Sequence, residues 1–295
     1  MQTQKDLVSM HPRHGIMNID VLSFARLAYR VFEETGTKQM QVLDDEGKNL
    51  ILRKIAGDYE NKLTVLKGNI KKLGYISEVK SVISEFTQYD IGEEEMDEML
   101  DHLDEDSRLY YKLKDIRLLY EGFQDYLRER YITKEELLDV LNSQVKESEL
   151  LKNSVVVLDG FTGFTPVQNR LILELMRCCK EVWVTVTMDE RENPYAYKHP
   201  YQLFGLSKQM VTTLVRMAGE DHIEVEEPVC LYGYPVKRFE KNQELAFLER
   251  NIFRYGSGRY DKAVENLEIH AAGNPRQEAD AVAEGIRRLV RKEQY

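Results

Sequence analysis

Residues 155–168 read VVVLDGFTGFTPVQ, and they divide into a strand, a loop and the start of a helix. The apolar run VVVL is typical of a parallel strand that is buried on both faces of a sheet. After the loop, Thr165 is predicted to cap a helix, Pro166 to be its first residue, and Gln168 to reach back to the cap amide. The stretch therefore predicts a strand that leads into a helix through the loop DGFTGF.

A second apolar run, VWVTVTM at 182–188, completes this unit. The helix between the two runs presents apolar side chains on one face, at Val167, Leu171, Leu175 and Cys178. The unit spans about 34 residues, which is the size of a β-α-β crossover between parallel strands. Farther along, the sequence predicts a helix from about 207 to 217 and a further strand, CLYGYPV, at 230–236.

An earlier unit of the same kind begins at Asn18, where the sequence reads NIDVLSFARLAYRVFEETG. The segment IDVLSF predicts a short strand that runs into a helix. Ser23 is predicted to cap that helix, and Gly36 to end it in the left-handed conformation that glycine adopts without strain. The chain therefore has two strand-to-helix junctions, one at Ser23 and one in the loop after the VVVL strand.

Between residue 42 and about residue 148 the pattern is helical, with no convincing strand. YISEVKSVISEF and LYYKLKDIRLLYEGFQDYL have apolar residues at helical spacing, and Thr133 and Glu136 form a capping box. Residues 91–107 carry nine carboxylates, which we interpret as a solvated helix face or a loop. The alternative is a repulsive wall that keeps nucleic acid on another surface. The whole segment is predicted to be an all-helical insertion in an α/β domain.

The last residues, LEIHAAGNPRQEADAVAEGIRRLVRKEQY (267–295), predict a strand, a polar turn and a helix that begins near Pro275. This helix stops without a capping signal, and the amino terminus begins equally abruptly. We therefore expect the chain to be a fragment of a longer protein.

The composition is that of a globular protein and argues against some classes of function. The 295 residues are 42% apolar, which suffices for a sizeable core. The formal net charge of −10 argues against a surface coated with basic side chains for duplex DNA, although it allows a local channel. Cys178, Cys179 and Cys230 lack metal-site spacing, and we interpret them as reduced core thiols. No stretch resembles a membrane span or a signal peptide, which predicts a cytoplasmic protein with no membrane partner.

Asp159, directly after the strand, lies where α/β proteins that handle phosphate hold Mg²⁺. The alternative is that its carboxylate caps the loop by accepting hydrogen bonds from backbone amides. The next residue, Gly160, has no side chain that could act as a base or orient water. No phosphate-binding loop of the form G-x-x-x-x-G-K-[ST] occurs in the sequence. We therefore expect no ATP hydrolysis and no catalytic residue in this chain.

The two strand-to-helix junctions suggest a surface for single-stranded nucleic acid instead. One junction carries Phe24, Arg26 and Tyr29, and the other carries Phe161 and Phe164 beside the helix start. Bases stack on aromatic rings, and the free N–H groups of helix N-termini accept phosphates. The alternative is that these aromatic residues are ordinary core residues.

Four stretches together resemble a known family: VLSFARLAYRVFEETG, SVISEFTQYDI, VVVLDGFTGFTPVQNRLILEL and AAGNPRQEADAVAEGI. In this order, over nearly the whole chain, they are similar to the B subunits of AddAB-type ATP-dependent helicase/deoxyribonucleases. The first and third also resemble, more distantly, superfamily 1 helicase motifs. In that comparison Asp159 matches the metal-binding acid, Gly160 replaces a glutamate, and Gln168 matches a glutamine.

The resemblance implies an α/β fold, a P-loop or superfamily 1 helicase-like parallel sheet domain with an all-helical insertion. The first motor-like domain would comprise residues 1–40 and 151–265, with the insertion at 41–150 and the start of a second domain at 266–295. The family's phosphate loop, nuclease domain and cysteine cluster are absent from this sequence. We expect no cofactor in this chain, whereas the full-length family implies ATP, Mg²⁺ and an iron–sulfur cluster.

The resemblance also implies a role. It suggests a heterodimer with an A subunit that resects double-strand breaks for homologous recombination, in which the B subunit scans single-stranded DNA for a recombination-hotspot sequence. Carried over to this chain, DNA binding falls on Ser23, Phe24, Arg26, Tyr29, Phe161, Phe164, Thr165 and Gln168. Asp159 and Gly160 would be the remnant of a nucleotide site.

Two other functions stay open on the residues alone. One is an active nucleotide-hydrolysing motor in which Asp159 binds Mg²⁺. The other is a helical protein-interaction scaffold in which the aromatic side chains belong to the core.

Overall fold

Helices predominate over strands in the computed structural model of this chain, which describes residues 2–37, 41–70, 72–128, 131–254, 256 and 258–292. The chain divides into two compact units, Met1–Glu226 and Glu227–Tyr295. The helices of the first unit are α1 (Gln2–Met10), α2 (Phe24–Thr35), α3 (Asp45–Asp58), α4 (Leu73–Gln88), α5 (Glu93–Asp101), α6 (Arg108–Leu127), α7 (Leu137–Gln144), α8 (Glu149–Lys152), α9 (Pro166–Cys178) and α10 (Gly205–Glu220). Its strands are β1 (Gln41–Val42), β2 (Tyr131–Ile132), β3 (Val155–Leu158) and β4 (Glu181–Val184).

The predicted β-α-β unit is confirmed by β3, α9 and β4. The two strands pair in parallel, from Val155 opposite Glu181 to Leu158 opposite Val184. Helix α9, which connects them, begins with the predicted capping box between Thr165 and Gln168 and with proline in its first turn. Strand β4 ends at Val184, so it is shorter than the run 182–188 suggests.

The prediction that the VVVL strand is buried on both faces is wrong for the described residues. Val155 and Val157 are 50% and 58% exposed, and Trp183, which pairs with Val157, is 45% exposed. Val156 and Leu158 point the other way, into hydrophobic clusters that include side chains of α9. A continuous apolar run does not distinguish a strand covered on two faces from one covered on a single face, because it lacks polar residues in both cases.

Helix α2 has the predicted ends. The Ser23 side chain accepts a hydrogen bond from the Arg26 amide, and Gly36 has the left-handed backbone, with φ of 67°. The strand predicted at 19–24 is wrong, since residues 19–23 have no strand pairing and Phe24 already belongs to α2. The β-type residues of this segment lack a neighbouring strand among the described residues, and pairing is what makes an extended segment a strand.

The segment after residue 42 forms a helical core from α3 to α6, and the helices predicted at 75–86 and 109–127 are confirmed as α4 and α6. The acidic block contains a helix, α5, which agrees with its interpretation as a solvated helix face, and the alternative of a repulsive wall stays a prediction. The expectation of no strand in this part of the chain is wrong, because a short strand lies on each side of the α3–α6 core in the sequence. There β1 and β2 pair in parallel, and the Leu43 amide donates to the carbonyl of Ile132. This pairing brings together the two ends of the helical segment.

A buried ion pair fastens the helical segment to the residues after β2. Lys48 of α3 is only 2% exposed, and its Nζ donates to both carboxylate oxygens of Glu135, at 3.0 and 2.7 Å, and to Ser84 Oγ at 3.3 Å. The neighbouring capping box also forms, because Thr133 and Glu136 exchange backbone-to-side-chain hydrogen bonds, although α7 itself begins at Leu137. Burial raises the pKa of the Glu135 carboxyl, but the hydrogen bond and charge of Lys48 outweigh it, so the pKa is lowered.

The second unit contains α11 (Gln243–Asn251) and α12 (Pro275–Lys292). The helix predicted near Pro275 is therefore confirmed, as is the earlier one near 207–217, which is α10. The strands predicted at 230–236 and near 267 are wrong, because both segments lie in coil without a pairing partner among the described residues. Helix α12 has exposed apolar side chains, namely Val282, Ile286, Leu289 and Val290.

The cysteines are free, as predicted, but they are not all core residues. Cys178 and Cys179 are partly buried, and burial raises the pKa of Cys179 to about 12. Cys230 is exposed, so its assignment to the core is wrong. No helix among the described residues is both long and apolar enough to cross a membrane. The proposed domain boundaries at 40, 150 and 265 stay predictions.

We predict that Lys48→Met destabilises the protein by about 3 kcal/mol, because it leaves the Glu135 carboxylate buried without a counter-charge. Urea unfolding followed by circular dichroism measures this loss. The control is Lys54→Met on the same helix, which removes an exposed pair with Asp58 and should cost far less stability, because water screens that pair. Equal losses of unfolding free energy in the two variants would contradict the conclusion that the Lys48–Glu135 pair is a buried, stabilising contact.

The same pair has a pH signature. Because the folded-state pKa of Glu135 is lowered, its contribution to stability is present above the ordinary value of 4.5 and is lost as the pH falls through the folded value. Lys48→Met should therefore remove part of the acid sensitivity of unfolding that the unmodified protein shows below pH 4.5. Urea midpoints measured at several pH values give this comparison.

Candidate nucleic-acid interface

Three phenylalanine rings meet where β3 ends and where α2 and α9 begin. Phe24 is the first residue of α2, and Phe161 and Phe164 lie in the loop between β3 and α9. The ring centroids of Phe24 and Phe161 are 5.7 Å apart, and those of Phe161 and Phe164 are 4.9 Å apart. We call these three residues the aromatic rim. The structure thus brings the two predicted junctions together at one edge of the sheet.

The rim is half-buried. Its rings pack against a cluster formed by Leu158, Ile172, Met210 and Leu214. Each of the three side chains keeps part of its surface exposed, and the loop residues at 162 and 163 are exposed as well. The rings therefore contribute to the core on one side and offer aromatic surface on the other.

The loop that carries Phe161 and Phe164 is held by hydrogen bonds to the residue that follows β4. The hydroxyl of Thr185, the residue after β4, donates to Asp159 Oδ1 at 2.6 Å and accepts from the Gly160 amide at 3.2 Å. The Asp159 carboxylate thus takes part in fixing the loop, but its partner is the Thr185 hydroxyl and not the backbone amides that its structural alternative names. Thr185 is not among the predicted site residues. The sequence feature that could have identified it is its position at the end of the neighbouring strand.

Gly160 has a left-handed backbone, with φ of +78°. A Cβ atom built there would meet no atom within 4 Å, so space is not the constraint. The constraint is the backbone conformation, because a residue with a side chain loses roughly 1–2 kcal/mol of stability when it adopts the left-handed region. The loop shape that presents Phe161 and Phe164 therefore favours glycine at this position.

Two helix N-termini point to the rim, and the predicted polar residues cap them. Ser23 Oγ accepts from the Arg26 amide at 3.4 Å. In α9, Thr165 Oγ1 accepts from the Gln168 amide at 3.4 Å, while the Thr165 amide donates to Gln168 Oε1 at 2.9 Å. These three polar side chains hold the helix starts in place. The Gln168 side chain uses its Oε1 atom for the capping bond, and its Nε2 atom takes no part in that bond.

Arg26 and Tyr29 occupy a different face of α2 from Phe24. Arg26 follows Phe24 by two residues, which is about 200° of helix rotation, and Tyr29 lies about one turn beyond Arg26. Both side chains are exposed, and the Tyr29 ring contacts Phe32 at 6.5 Å between centroids. The predicted site residues therefore form two patches, the aromatic rim with its helix caps and a neighbouring cationic face on α2.

The described residues do not supply a metal centre. No group of three or more His, Cys, Asp or Glu side chains among them could hold a metal ion. Asp159 brings one carboxylate to the sheet edge, and Thr185 already bonds to it. The expectation that this chain holds no cofactor stays a prediction.

We predict that Gly160→Ala destabilises the protein by about 1 kcal/mol through backbone strain alone. Gly163→Ala in the same loop is the matched control, because Gly163 has equal space around its Cβ position and does not adopt a left-handed φ. The control should be neutral or slightly stabilising. Urea unfolding measures both, and indistinguishable midpoints would show that the loop tolerates a side chain at Gly160.

The chain is similar to known proteins along nearly its whole length. The family described as "ADDB, N-terminal" matches residues 1–249. A protein of Lachnoclostridium phytofermentans, named as the B subunit of an ATP-dependent helicase/deoxyribonuclease, is 41% identical over 302 residues, which cover 100% of this chain and 26% of that protein. Proteins with the same name from Caldanaerobacter subterraneus subsp. tengcongensis and Alkaliphilus metalliredigens are 34% and 32% identical over 99% and 100% of this chain, and over 25% of each relative.

The chain therefore spans about a quarter of the length of the curated relatives it matches. The family match, which covers most of the chain, agrees with the resemblance inferred from its motifs. This chain belongs to the ADDB, N-terminal family.

Proposed function

We propose that this chain is the part of a helicase–nuclease B subunit that holds single-stranded DNA, and that the aromatic rim stacks on its bases. The observation that carries the proposal is the contact of Phe24, Phe161 and Phe164, which come from two separate junctions and remain partly exposed. Stacking on aromatic rings binds single strands with little sequence preference, because every base has a π-face.

The surroundings of the rim suit a nucleic-acid backbone as well as bases. Helices α2 and α9 both begin there, and the N-terminus of a helix carries partial positive charge and free N–H groups that bind phosphate. Arg26 adds a full positive charge within the first turn of α2. This arrangement provides a local cationic path despite the net charge of −10.

At the level of the whole protein, we propose a heterodimer with an A subunit that acts in double-strand break repair and homologous recombination in the cytoplasm. The relatives are named as B subunits of ATP-dependent helicase/deoxyribonucleases, which supports a multisubunit helicase and nuclease. In that setting the rim would contribute to scanning the strand for a hotspot sequence. ATP, Mg²⁺ and an iron–sulfur cluster would be held by other parts of the complex.

The alternative of an active motor in this chain is less well supported. Gly160 lacks the side chain that orients water, and its left-handed backbone disfavours a glutamate. Asp159 is engaged by Thr185. We therefore propose that the loop presents the aromatic rim and does not hydrolyse nucleotide.

We predict that Phe161→Leu and Phe164→Leu weaken the binding of a labelled single-stranded oligonucleotide, each by about fivefold, since stacking contributes about 1–3 kcal/mol per base. Leucine keeps most of the apolar packing, so the fold should survive. Phe86→Leu is the control, because Phe86 is also a partly buried phenylalanine but packs on the helical core. If all three variants bind like the unmodified chain, the rim does not contact DNA, and the scaffold alternative gains support.

Arg26→Ala tests the cationic face separately. Loss of one phosphate contact should reduce the slope of log affinity against log salt concentration by about 0.7 for a single strand. Arg108→Ala, which removes an exposed arginine at the start of α6, should leave the slope unchanged. Fluorescence anisotropy at several salt concentrations gives both slopes. An unchanged slope in Arg26→Ala would remove this face from the proposed path.

A further inference from the structure

A second set of aromatic side chains lies in the loop between β4 and α10. Residues 193–204, which we call the tyrosine loop, carry rings at alternate positions, Tyr195, Tyr197, His199 and Tyr201. Tyr195 is 48% exposed and Tyr201 is 83% exposed. Exposed aromatic rings of this size offer flat apolar surface to a ligand or partner.

The segment that leads from β4 into the tyrosine loop leaves the same edge of the sheet that carries the aromatic rim. Strand β4 pairs in parallel with β3, so the two carboxyl ends lie side by side, and Thr185 joins them by its bonds to Asp159 and Gly160. The loop then leads into α10, whose Met210 and Leu214 pack in the cluster that supports the rim. Both the segment before the tyrosine loop and the helix after it are therefore tied to the structure that supports the rim.

The tyrosine loop has a defined shape. Gln202 accepts from the Lys198 amide at 3.0 Å and donates to the Ala196 carbonyl at 3.1 Å, so one side chain braces the middle of the loop. Gly205 makes a close approach, because a Cβ there would lie 2.8 Å from the Pro200 carbonyl oxygen. A preformed loop loses less conformational entropy when a ligand binds.

A buried lysine anchors the chain just before this loop. Lys208 of α10 is only 1% exposed, and its Nζ donates to the Glu192 carboxylate at 2.5 Å. The pair joins the start of the tyrosine loop to the helix that follows it. Both ends of the loop are therefore fixed to α10.

Within the loop, two rings form a flat platform. The rings of His199 and Tyr201 are stacked, with centroids 5.0 Å apart and planes within 3° of parallel. Such a pair presents the face of an aromatic ring to solvent, and a nucleobase can extend the stack. Lys198 is the one lysine or arginine in the sequence of the loop, so its chemistry favours recognition by ring faces over phosphate charge.

We propose that the tyrosine loop is a second base-stacking site, in which Tyr201 and the stacked His199 hold a nucleobase of the strand that crosses the aromatic rim. This inference rests on the proposed function of the rim. It assigns a ligand class to residues that lie outside the predicted site, and it extends the path of the single strand from β3 across the end of β4.

Photocrosslinking tests the proposal in the full chain without any substitution. An oligonucleotide with 5-iodouracil at one position forms a covalent bond, on irradiation, to an aromatic side chain stacked on that base. We expect crosslinked peptides from both the rim and the tyrosine loop, at different positions of the halogenated base. Crosslinks confined to the rim would overturn this inference and leave the proposed function standing. Crosslinks to neither would contradict both.

Affinity measurements give an independent test. For an oligonucleotide of about 16 nucleotides, Tyr201→Ala should weaken binding about fivefold, whereas for one of about 4 nucleotides, which the rim alone can hold, the affinity should not change. Tyr201→Phe should retain the affinity because it keeps the ring. Tyr89→Ala, at an exposed tyrosine after α4, is the matched control. Unchanged affinity of Tyr201→Ala for the longer strand would overturn the proposal and point to a protein partner for the loop.

Discussion

The parallel pairing of β3 with β4 is the constraint on which the candidate site depends. Two parallel strands joined by a helix end at the same edge, so the loops that follow them lie side by side. One of these loops carries Phe161 and Phe164, and the other leads into the tyrosine loop. Thr185 adds the local fastening, because its hydroxyl bonds to both Asp159 and Gly160. Without this pairing, the aromatic residues would lie on unrelated loops.

A second, smaller pairing organises the rest of the first unit. The two-residue strands β1 and β2 bring together the ends of the helical segment, and the buried Lys48–Glu135 pair fastens that segment to the residues that lead into α7. Helix α7 in turn packs on α2 and α9, the two helices that begin at the aromatic rim. The helical segment is thus joined to the elements that position the site, although it contributes no residue to the rim.

Gly160 links the chemistry of the loop to its backbone. The sequence already shows that no catalytic side chain stands there. The structure adds that the residue has φ of +78°, which makes a substitution costly even though nothing would collide with a Cβ atom. The glycine therefore has two consequences at once: it removes the group that would orient water, and it allows the turn that presents Phe161 and Phe164. This is the physical reason for proposing a binding loop instead of a hydrolytic one.

The sequence by itself determined the features that depend on neighbours a few residues apart. The capping boxes of Thr165 with Gln168 and of Thr133 with Glu136, the Ser23 cap and the Gly36 terminus all form as predicted, because each requires only local hydrogen bonds or local backbone freedom. The helices α4, α6 and α12 could be predicted from their spacing for the same reason.

Tertiary structure alone decided the features that depend on distant residues. Whether an extended run becomes a strand depends on a partner, so β1 and β2 were missed, and strands were expected at 19–24 and 230–236 where none forms. The exposure of Val155, Val157 and Trp183, and the burial of Lys48, follow from what packs against each residue. The meeting of Phe24 with Phe161 likewise came from tertiary packing, which no local pattern records, whereas the separation of Arg26 from Phe24 follows from the rotation of α2.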